Sequence, residues 1–366
     1  MIFCSHCFRD SEIVGLINQS PTIGTCPICG SRGVHLYDTD TQHLLDGIFD
    51  DLLDAYTPKE NLPASFPADD LATLGNIMIR DWNIFEDIGE DNIISIIETL
   101  SHNVVSAIPT LFSGQIGIAE KYDDLFLKDH SILWTKSWED FVEIIKHKNR
   151  FHTNVVNTEL LCKYCFALSK EIKVDQKFYR GRIADNKEGH NKKGIGAPPC
   201  KKASEGRANP KGISRLYLTY DQDTTLHEIR AAEFDYVTIG TFKAIVPLRV
   251  VDLKRINNIS PFLPDIDCAA LAINREHLEK IGFEISRTMR RGDSPLDYVP
   301  TQYIADFIMS IEDEKGNPVF DGVEYQSAMK SGGANLAIFY PEKFKCVYRK
   351  TYEVKKLIYQ KDIPAK

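Results

Sequence analysis

Apolar residues recur at helical spacing through the middle of the chain. The clearest stretches are HLLDGIFDDLLDAY (His43–Tyr56), NIISIIETLSHNVVSAI (Asn92–Ile108) and SWEDFVEIIKHK (Ser137–Lys148). Asp69 or Asp70, just before LATLGNIMIRDW, is predicted to cap a further helix. Because alternating strand patterns are sparse in this region, residues 36–172 are predicted to form an all-α domain.

The pattern changes at Lys173 to short β-rich runs separated by glycine and proline. The runs are FYRGRI, SRLYLTY, YVTIGTFKAIVPLRVVDL, ANLAIFY and KFKCVYRKTYEV. Helical patterns lie between them at Thr225–Glu233, Glu276–Gly282 and Pro300–Ile311. Residues 173–366 are therefore predicted to form a mixed α/β domain, and the chain as a whole belongs to the α+β class.

Residues 1–35 lack helical periodicity and carry two C-x2-C pairs separated by 18 residues, Cys4 with Cys7 and Cys26 with Cys29. Two intervening residues let both thiolates of a pair bind one tetrahedral ion, and four cysteines leave no open coordination position. The sequence thus predicts a zinc ribbon with a structural Zn²⁺, and Gly30 is expected in the turn after the second pair. Four unrelated free thiols are the alternative.

The remaining cysteines indicate a reducing environment. The chain has nine cysteines, an odd number, and its first residues do not resemble an export signal, so we expect a cytoplasmic protein without a disulfide framework. Cys162 and Cys165 form a further C-x2-C without a nearby second pair and are interpreted as part of a half-buried helix.

Composition and charge narrow the class of partner. With 43% hydrophobic and 26% charged residues and no apolar run of about 20 residues, the chain is expected to be soluble, without a membrane partner. The net charge is −8, yet Lys177–Arg215 holds 11 basic and 3 acidic residues. This excess favours an anionic ligand, with a solvated basic loop as the alternative. The cysteine module has few basic residues, which argues against nucleic acid.

Five residues of the C-terminal half carry candidate chemistry, and each has an ordinary structural interpretation. Arg180 and Arg207 offer bidentate anion binding or surface ion pairs. Tyr217 faces the opposite side of its strand from its neighbours and suits either ligand stacking or cross-strand packing. Glu228 closes the pattern Thr225-Leu-His-Glu, which matches a capping box, so cap and catalytic carboxylate both remain open. Ser327 precedes a glycine-rich turn.

Four blocks of the C-terminal half follow one another in the order FYRGR, GAPP…ASEGRANPKGISRLYL, TLHEIRA and GVEYQSAMKSGGANLAIF. Together and in this order they resemble the RES domain family. The resemblance covers about Phe178–Pro341, nearly half of the chain. It assigns catalytic roles to Glu228, Arg180 and Tyr217 and substrate binding to Arg207, Asn209 and Ser327. The Lys187–Lys202 insertion departs from the family and leaves access to the site open to question.

The resemblance implies a fold like that of ADP-ribosyltransferases and an intracellular enzyme that consumes NAD⁺ as its substrate. Family members act as toxins or defence effectors that release nicotinamide by phosphorolysis or hydrolysis, so inorganic phosphate is an expected co-substrate. The further partners that we expect are an antitoxin or activating protein and a second copy of this chain in a homo-oligomer. Transfer of ADP-ribose to a protein, and a non-catalytic binding module, are the alternatives.

The helical segment resembles the HEPN-like domain that often precedes RES domains. HEPN ribonucleases use an arginine and a later histidine with four to six residues between them. Neither Arg80 nor Arg150 has a histidine at that spacing, so ribonuclease activity is not predicted.

Overall fold

The structure is a computed structural model that describes residues 1–134, 136–288 and 294–357. Within these ranges the strands are β1 (Ile2–Cys4), β2 (Ile23–Thr25), β3 (Arg32–Asp38), β4 (Thr57–Pro58), β5 (Ala72–Thr73), β6 (Gln115–Gly117), β7 (Ser169–Ile172), β8 (Lys177–Ala184), β9 (Leu216–Thr219), β10 (Tyr236–Ala244), β11 (Leu248–Asp252), β12 (Gly322–Gln326), β13 (Ala334–Ile338) and β14 (Phe344–Glu353).

The α-helices of the same ranges are α1 (Ser11–Ile17), α2 (Asp50–Asp54), α3 (Leu74–Ile77), α4 (Glu90–Leu100), α5 (His102–Ala107), α6 (Thr110–Ser113), α7 (Asp124–His130), α8 (Trp138–Glu143), α9 (Thr158–Ala167), α10 (Gln222–Glu228), α11 (Cys268–Ser286) and α12 (Val299–Ser310). Among the described helices, none combines the length and the apolar character that a membrane span requires.

The chain divides into two compact units. The first comprises Met1–Ser137, Val155–Lys163 and Asn258–His277. The second comprises Trp138–Asn154, Tyr164–Asn257 and Leu278–Lys366. Each unit takes in residues of the segment predicted to be helical, and the first contains the cysteine pairs.

The N-terminal segment folds as a three-stranded antiparallel sheet in the order β1-β3-β2. Its last strand, β3, ends at Asp38, three residues beyond the boundary drawn from composition. The segment also contains α1, a helix that begins at the N-cap Asp10, whose carboxylate accepts the amide protons of Glu12 and Ile13 at 2.9 and 3.2 Å. Sequence periodicity did not predict α1 because its seven residues complete only two turns.

The middle segment is mainly helical, but its helices are shorter than predicted. Of His43–Tyr56 only α2 is α-helical, since Gly47 adopts a left-handed φ of 72° before it. Asn92–Ile108 is divided into α4 and α5 at Ser101. The helix after LAT begins at Thr73, whose hydroxyl accepts the Asn76 amide proton, so the caps predicted at Asp69 or Asp70 were wrong.

The prediction of an all-α middle domain was also wrong in one respect, because β4, β6 and β5 form a small antiparallel sheet there. These strands have two or three residues each, which is too short for an alternating pattern to be visible in the sequence.

The second unit is built on an eight-stranded sheet in the order β14-β10-β8-β9-β13-β12-β11-β7. Every pairing is antiparallel except β11 with β12. All five predicted runs form strands, whereas β7 and β12 were missed. In β12 the successive residues Val323, Glu324 and Tyr325 are all buried, so no alternation marks it.

The two faces of this sheet have different roles. One face packs a core from alternate positions, among them Phe178, Leu216, Leu218 and Leu336. Because side chains alternate along a strand, Tyr217 and Thr219 point to the opposite face, where α10 packs. A Cβ on Gly181 of β8 would lie 2.6 Å from Thr225 Cγ2, so glycine is what lets α10 approach the sheet.

Candidate functional site

A cavity of about 270 Å³ lies between α10 and the central strands of the second unit. Side chains from five elements and one turn line it. They are Tyr179, Arg180 and Gly181 of β8, Gly206 and Arg207 of a turn, Tyr217, Leu218 and Thr219 of β9, Thr225 and Glu228 of α10 with the adjoining Ile229, Tyr325 of β12, and Asn335 of β13. Four of the six residues predicted to act on substrate therefore line one cavity.

Glu228 is the last residue of α10 and does not cap the helix. Asp221 is the N-cap instead, since its carboxylate accepts the Thr224 amide proton at 2.8 Å. The helix begins four residues earlier than the Thr225 capping box requires, so the capping interpretation was wrong. The carboxylate of Glu228 is therefore available for another function.

Two donors hold the carboxylate of Glu228 on the cavity wall. Its Oε1 accepts a hydrogen bond from Ser327 Oγ at 2.6 Å and another from Asn335 Nδ2 at 2.8 Å. The residues that the structure describes form no hydrogen bond to Oε2. One oxygen thus fixes the orientation of the carboxylate, and the second remains open to a ligand.

Arg180 places a buried cation at the same cavity. Its Nη1 donates to the Tyr217 carbonyl oxygen at 2.9 Å, and its Nε is buried without a hydrogen-bond partner. Burial, together with the nearby Arg182, lowers the pKa of Arg180 to about 10. In the described part of the chain no carboxylate forms an ion pair with it. Since a buried, unpaired charge is costly, the arrangement favours binding of an anion.

Arg207 is held from behind by the end of a helix. Its Nη1 donates to the Glu284 carbonyl oxygen at 3.2 Å, and its Nη2 donates to the carbonyl oxygen of Arg287. These carbonyls lie at the C-terminal end of α11, where the helix dipole favours a cation. The contacts fix the guanidinium beside the cavity, so Arg180 and Arg207 give it two positive groups.

Tyr217 lines the cavity with its ring, but its hydroxyl is already engaged. The hydroxyl donates to Asn209 Oδ1 at 2.6 Å and accepts the Ala208 amide proton at 3.1 Å. Burial raises the pKa of Tyr217 to about 12, so the phenol stays protonated near neutral pH. A Cβ on Gly206 would lie 2.8 Å from this hydroxyl, which explains the glycine. The hydroxyl organises the 206–209 turn, and the ring face is open for stacking.

Asn209 and Ser327 lie behind the cavity wall, not on it. The Nδ2 of Asn209 donates to the carbonyl oxygens of Ser204, Pro210 and Ile213, at 2.8 to 3.0 Å. Ser327 is 6% exposed and accepts the amide protons of Met329 and Lys330 while it holds Glu228. Both residues therefore hold groups that line the cavity, and their predicted contact with substrate stays a prediction.

Asn335 and Tyr325 are cavity residues that sequence reasoning missed. Asn335 is the second donor to Glu228, and it is 6% exposed on β13 between apolar neighbours. A single amide in the otherwise apolar run ANLAIF was a usable signal, because buried polar side chains require partners. Tyr325 belongs to the Y-x-S element that drew attention only to Ser327, and burial raises its pKa well above the usual range.

The basic insertion does not line the cavity. Ile195 in its middle is fully buried in the core on the other face of the sheet, and Arg182 Nη1 donates to the Gly194 carbonyl oxygen at 2.8 Å. Lys187–Lys202 is described throughout, and none of its residues is among those that line the cavity. The insertion is therefore packed against the sheet and contributes no residue to the cavity wall.

Cys4, Cys7, Cys26 and Cys29 form a separate cluster in the first unit. Their sulfur atoms all lie within 4.8 Å of one another, and the three closest pairs are 3.5, 3.7 and 3.9 Å apart. Tetrahedral Zn–S bonds of about 2.3 Å place sulfur atoms about 3.8 Å apart, so the spacing suits this ion. Gly30 has a φ of 71° in the turn after the second pair, as expected. The cluster can bind a metal.

The cysteine pair Cys162 and Cys165 lies in α9, the first half-buried and the second buried, which confirms the helical interpretation.

The family model of the RES domain matches residues 181–358, which include the second half of β8, all of β9 to β14 and every residue of the cavity except Tyr179 and Arg180. A search of curated proteins and a search of solved structures each found no match. Residues 181–358 of this chain, which include Glu228, are therefore similar to RES domains.

Proposed function

We propose that this protein cleaves the bond between nicotinamide and ribose in NAD⁺, as a phosphorylase or a glycohydrolase, and serves as a toxin or defence effector. RES domains are generally associated with NAD-related toxin or defence functions, and the match supports that class. The observation that carries the proposal is the carboxylate of Glu228, which is fixed by Ser327 and Asn335 and faces a cavity with two arginines.

The reaction needs the charges that this cavity offers. As the C–N bond breaks, nicotinamide leaves as a neutral molecule and the ribose acquires oxocarbenium character, as in glycoside hydrolysis. The open Oε2 of Glu228 stabilises that positive charge. Phosphate or water then attacks the same carbon, which gives ADP-ribose 1″-phosphate, or ADP-ribose with release of a proton.

The two arginines suit the anionic part of the substrate. Arg180 has a buried Nε without a partner and Arg207 is fixed by backbone carbonyls, so both can bind phosphate oxygens with little rearrangement. The ring of Tyr217 offers a stacking surface for nicotinamide. A cavity of about 270 Å³ is small against the roughly 300–1,000 Å³ of drug-sized sites, so we expect it to enclose the reacting half of the dinucleotide.

The cysteine cluster would hold a structural Zn²⁺ with all four thiolates, and it takes no part in the reaction. Burial, with a hydrogen bond to Cys29 next in effect, raises the pKa of Cys4 to about 12. Metal binding must therefore displace protons from the cluster.

The proposal is tested with purified full-length protein, NAD⁺, and phosphate present or absent. Nicotinamide release should be lower by about 100- to 1,000-fold in Glu228→Gln, which keeps the shape of the side chain and removes its charge. Glu171→Gln is the matched control, since Glu171 is exposed on β7 and lies outside the cavity. Intact NAD⁺ in every reaction, or equal rates in wild type and Glu228→Gln, would refute the proposal. A label from NAD⁺ that stays on protein would indicate ADP-ribosyl transfer.

A further inference from the structure

A second cavity, of about 330 Å³, lies along α12 in the same unit and shares no lining residue with the cavity at Glu228. Six of its lining residues are on α12 at intervals of one, three or four, so they form one stripe of the helix. Phe151 and Arg150 approach this stripe from one side and Pro210 from another. It is larger than the first cavity, and the proposed reaction does not use it.

The walls of this cavity offer flat apolar surface. Phe151, Tyr303 and Phe307 line it, and Phe151 is 82% exposed. An aromatic ring left this open beside two others gains free energy when a planar molecule covers it.

The polar groups of the cavity form a donor and acceptor pair. Toward the described residues, Arg150 donates only from Nε, to the Ile145 carbonyl oxygen at 3.2 Å, and none of their carboxylates forms an ion pair with it. Asp306 forms an ion pair with Arg215, with 3.5 Å between Oδ1 and Nη2, and its side chain is 46% exposed. The guanidinium thus has free N–H groups, and the carboxylate has free lone pairs.

We propose that this cavity binds a planar heteroaromatic molecule with an amide-type edge. Such a molecule stacks on the rings, donates from its amino group to Asp306 and accepts from Arg150 at an adjacent carbonyl oxygen or ring nitrogen. Nicotinamide and adenine both have this chemistry. This site rests on the proposed function only in that NAD⁺ suggests nicotinamide and adenine as probes.

The cavity is joined to the first site by hydrogen bonds. Gln302 lines it, and the Nε2 of that residue donates to the carbonyl oxygens of Gly206 and Asn209 at 2.9 and 3.0 Å. These two residues flank Arg207, and Pro210 follows them on the cavity wall. A bound molecule therefore restrains the 206–209 turn that places Arg207 at the first cavity.

Calorimetric titration of the full-length protein tests the site, with nicotinamide, adenine and the non-planar cyclohexanecarboxamide as probes. Ser310→Trp places a large ring in the cavity, and Ser106→Trp is the matched control. Both serines are exposed on helices and donate to a backbone carbonyl oxygen of the preceding turn, at 2.7 and 2.8 Å. We expect saturable binding of a planar probe that is at least about tenfold weaker in Ser310→Trp and unchanged in Ser106→Trp.

Preference for nicotinamide or for adenine identifies the source of the ligand, and either supports the site. Tyr303→Ala, which opens a wall without adding bulk, is the second variant if Ser310→Trp does not fold. Absence of saturable binding, binding as tight in the Ser310 and Tyr303 variants as in wild type, or equal binding of the non-planar probe would overturn the assignment.

Amide hydrogen exchange tests the link to the first site. Exchange at Ala208, whose N–H donates to Tyr217, should slow on ligand binding in wild type and stay unchanged in Ser310→Trp. Unchanged exchange in wild type would overturn the link. Neither calorimetry nor hydrogen exchange depends on NAD⁺ cleavage. A failure of the proposed function can therefore be distinguished from a failure of this second site.

Discussion

Removal of the Ser327 hydroxyl should slow NAD⁺ cleavage, and we expect the whole effect to come from the lost orientation of the Glu228 carboxylate. In wild type the hydroxyl donates to Glu228 Oε1 at 2.6 Å, a short bond to a charged acceptor. Ser327→Ala leaves Asn335 as the only donor to that oxygen, so the carboxylate can rotate away from the reacting carbon.

The size of the effect follows from this bond. A hydrogen bond to a charged group contributes about 1.5–3 kcal/mol, and about 1.4 kcal/mol corresponds to a tenfold change in rate. We therefore expect kcat to fall by about 10- to 100-fold, with a smaller change in KM. The variant also loses the acceptor for the amide protons of Met329 and Lys330, so its free energy of unfolding should be measured beside its activity.

A double-mutant cycle separates this role from direct contact with substrate. Initial rates of nicotinamide release are measured for Ser327→Ala, Glu228→Gln and the double variant, each with its urea unfolding curve. If Ser327 acts by orienting the carboxylate, its removal should cost less than about threefold in the Glu228→Gln background. Multiplicative losses in the double variant, with unfolding free energies near that of wild type, would refute the reasoning.

Three further predictions concern other parts of the chain. Purified protein should carry about one zinc ion per chain by elemental analysis, and Cys7→Ser should lose that ion; a zinc-free wild type would contradict this. Arg180→Lys should raise KM for NAD⁺ by about tenfold or more, because lysine lacks the planar fork, and an unchanged KM would contradict the assignment. The carboxyl of Asp221 is partly desolvated, but hydrogen bonds from Thr224 and the ion pair with Lys330 lower its pKa to about 2. The stabilisation that this lowered pKa represents is therefore complete above the unfolded pKa of about 3.9 and is lost as the pH falls toward 2. Lys330→Gln should accordingly lower the free energy of unfolding at pH 7, and the variant should converge with wild type in acid.

The sequence alone determined the parts of this protein that depend on local spacing. Two C-x2-C pairs predicted a cysteine cluster because the spacing within each pair is a local property, and the structure brings the four sulfur atoms together. The β-rich runs after Lys173 became strands because alternation is also visible locally. The order of the blocks around Arg180, Arg207 and Glu228 pointed to the RES domain that the family model matches at residues 181–358.

Only the tertiary structure decided what the individual side chains do. The local pattern allowed Glu228 to be a cap or a catalyst. The structure excludes the cap, because Asp221 caps the helix and the Glu228 carboxylate accepts from Ser327 and Asn335, which are 99 and 107 residues away in the chain. Tyr217 was expected to act on a substrate, and the fold directs its hydroxyl to Asn209 while its ring lines the cavity. The two partners of Glu228 come from segments that are distant from it in sequence, so no local pattern specifies them. The charge environment of Arg180 is decided in the same way, since burial and the lack of an ion-paired carboxylate among the described residues are properties of the packed sheet.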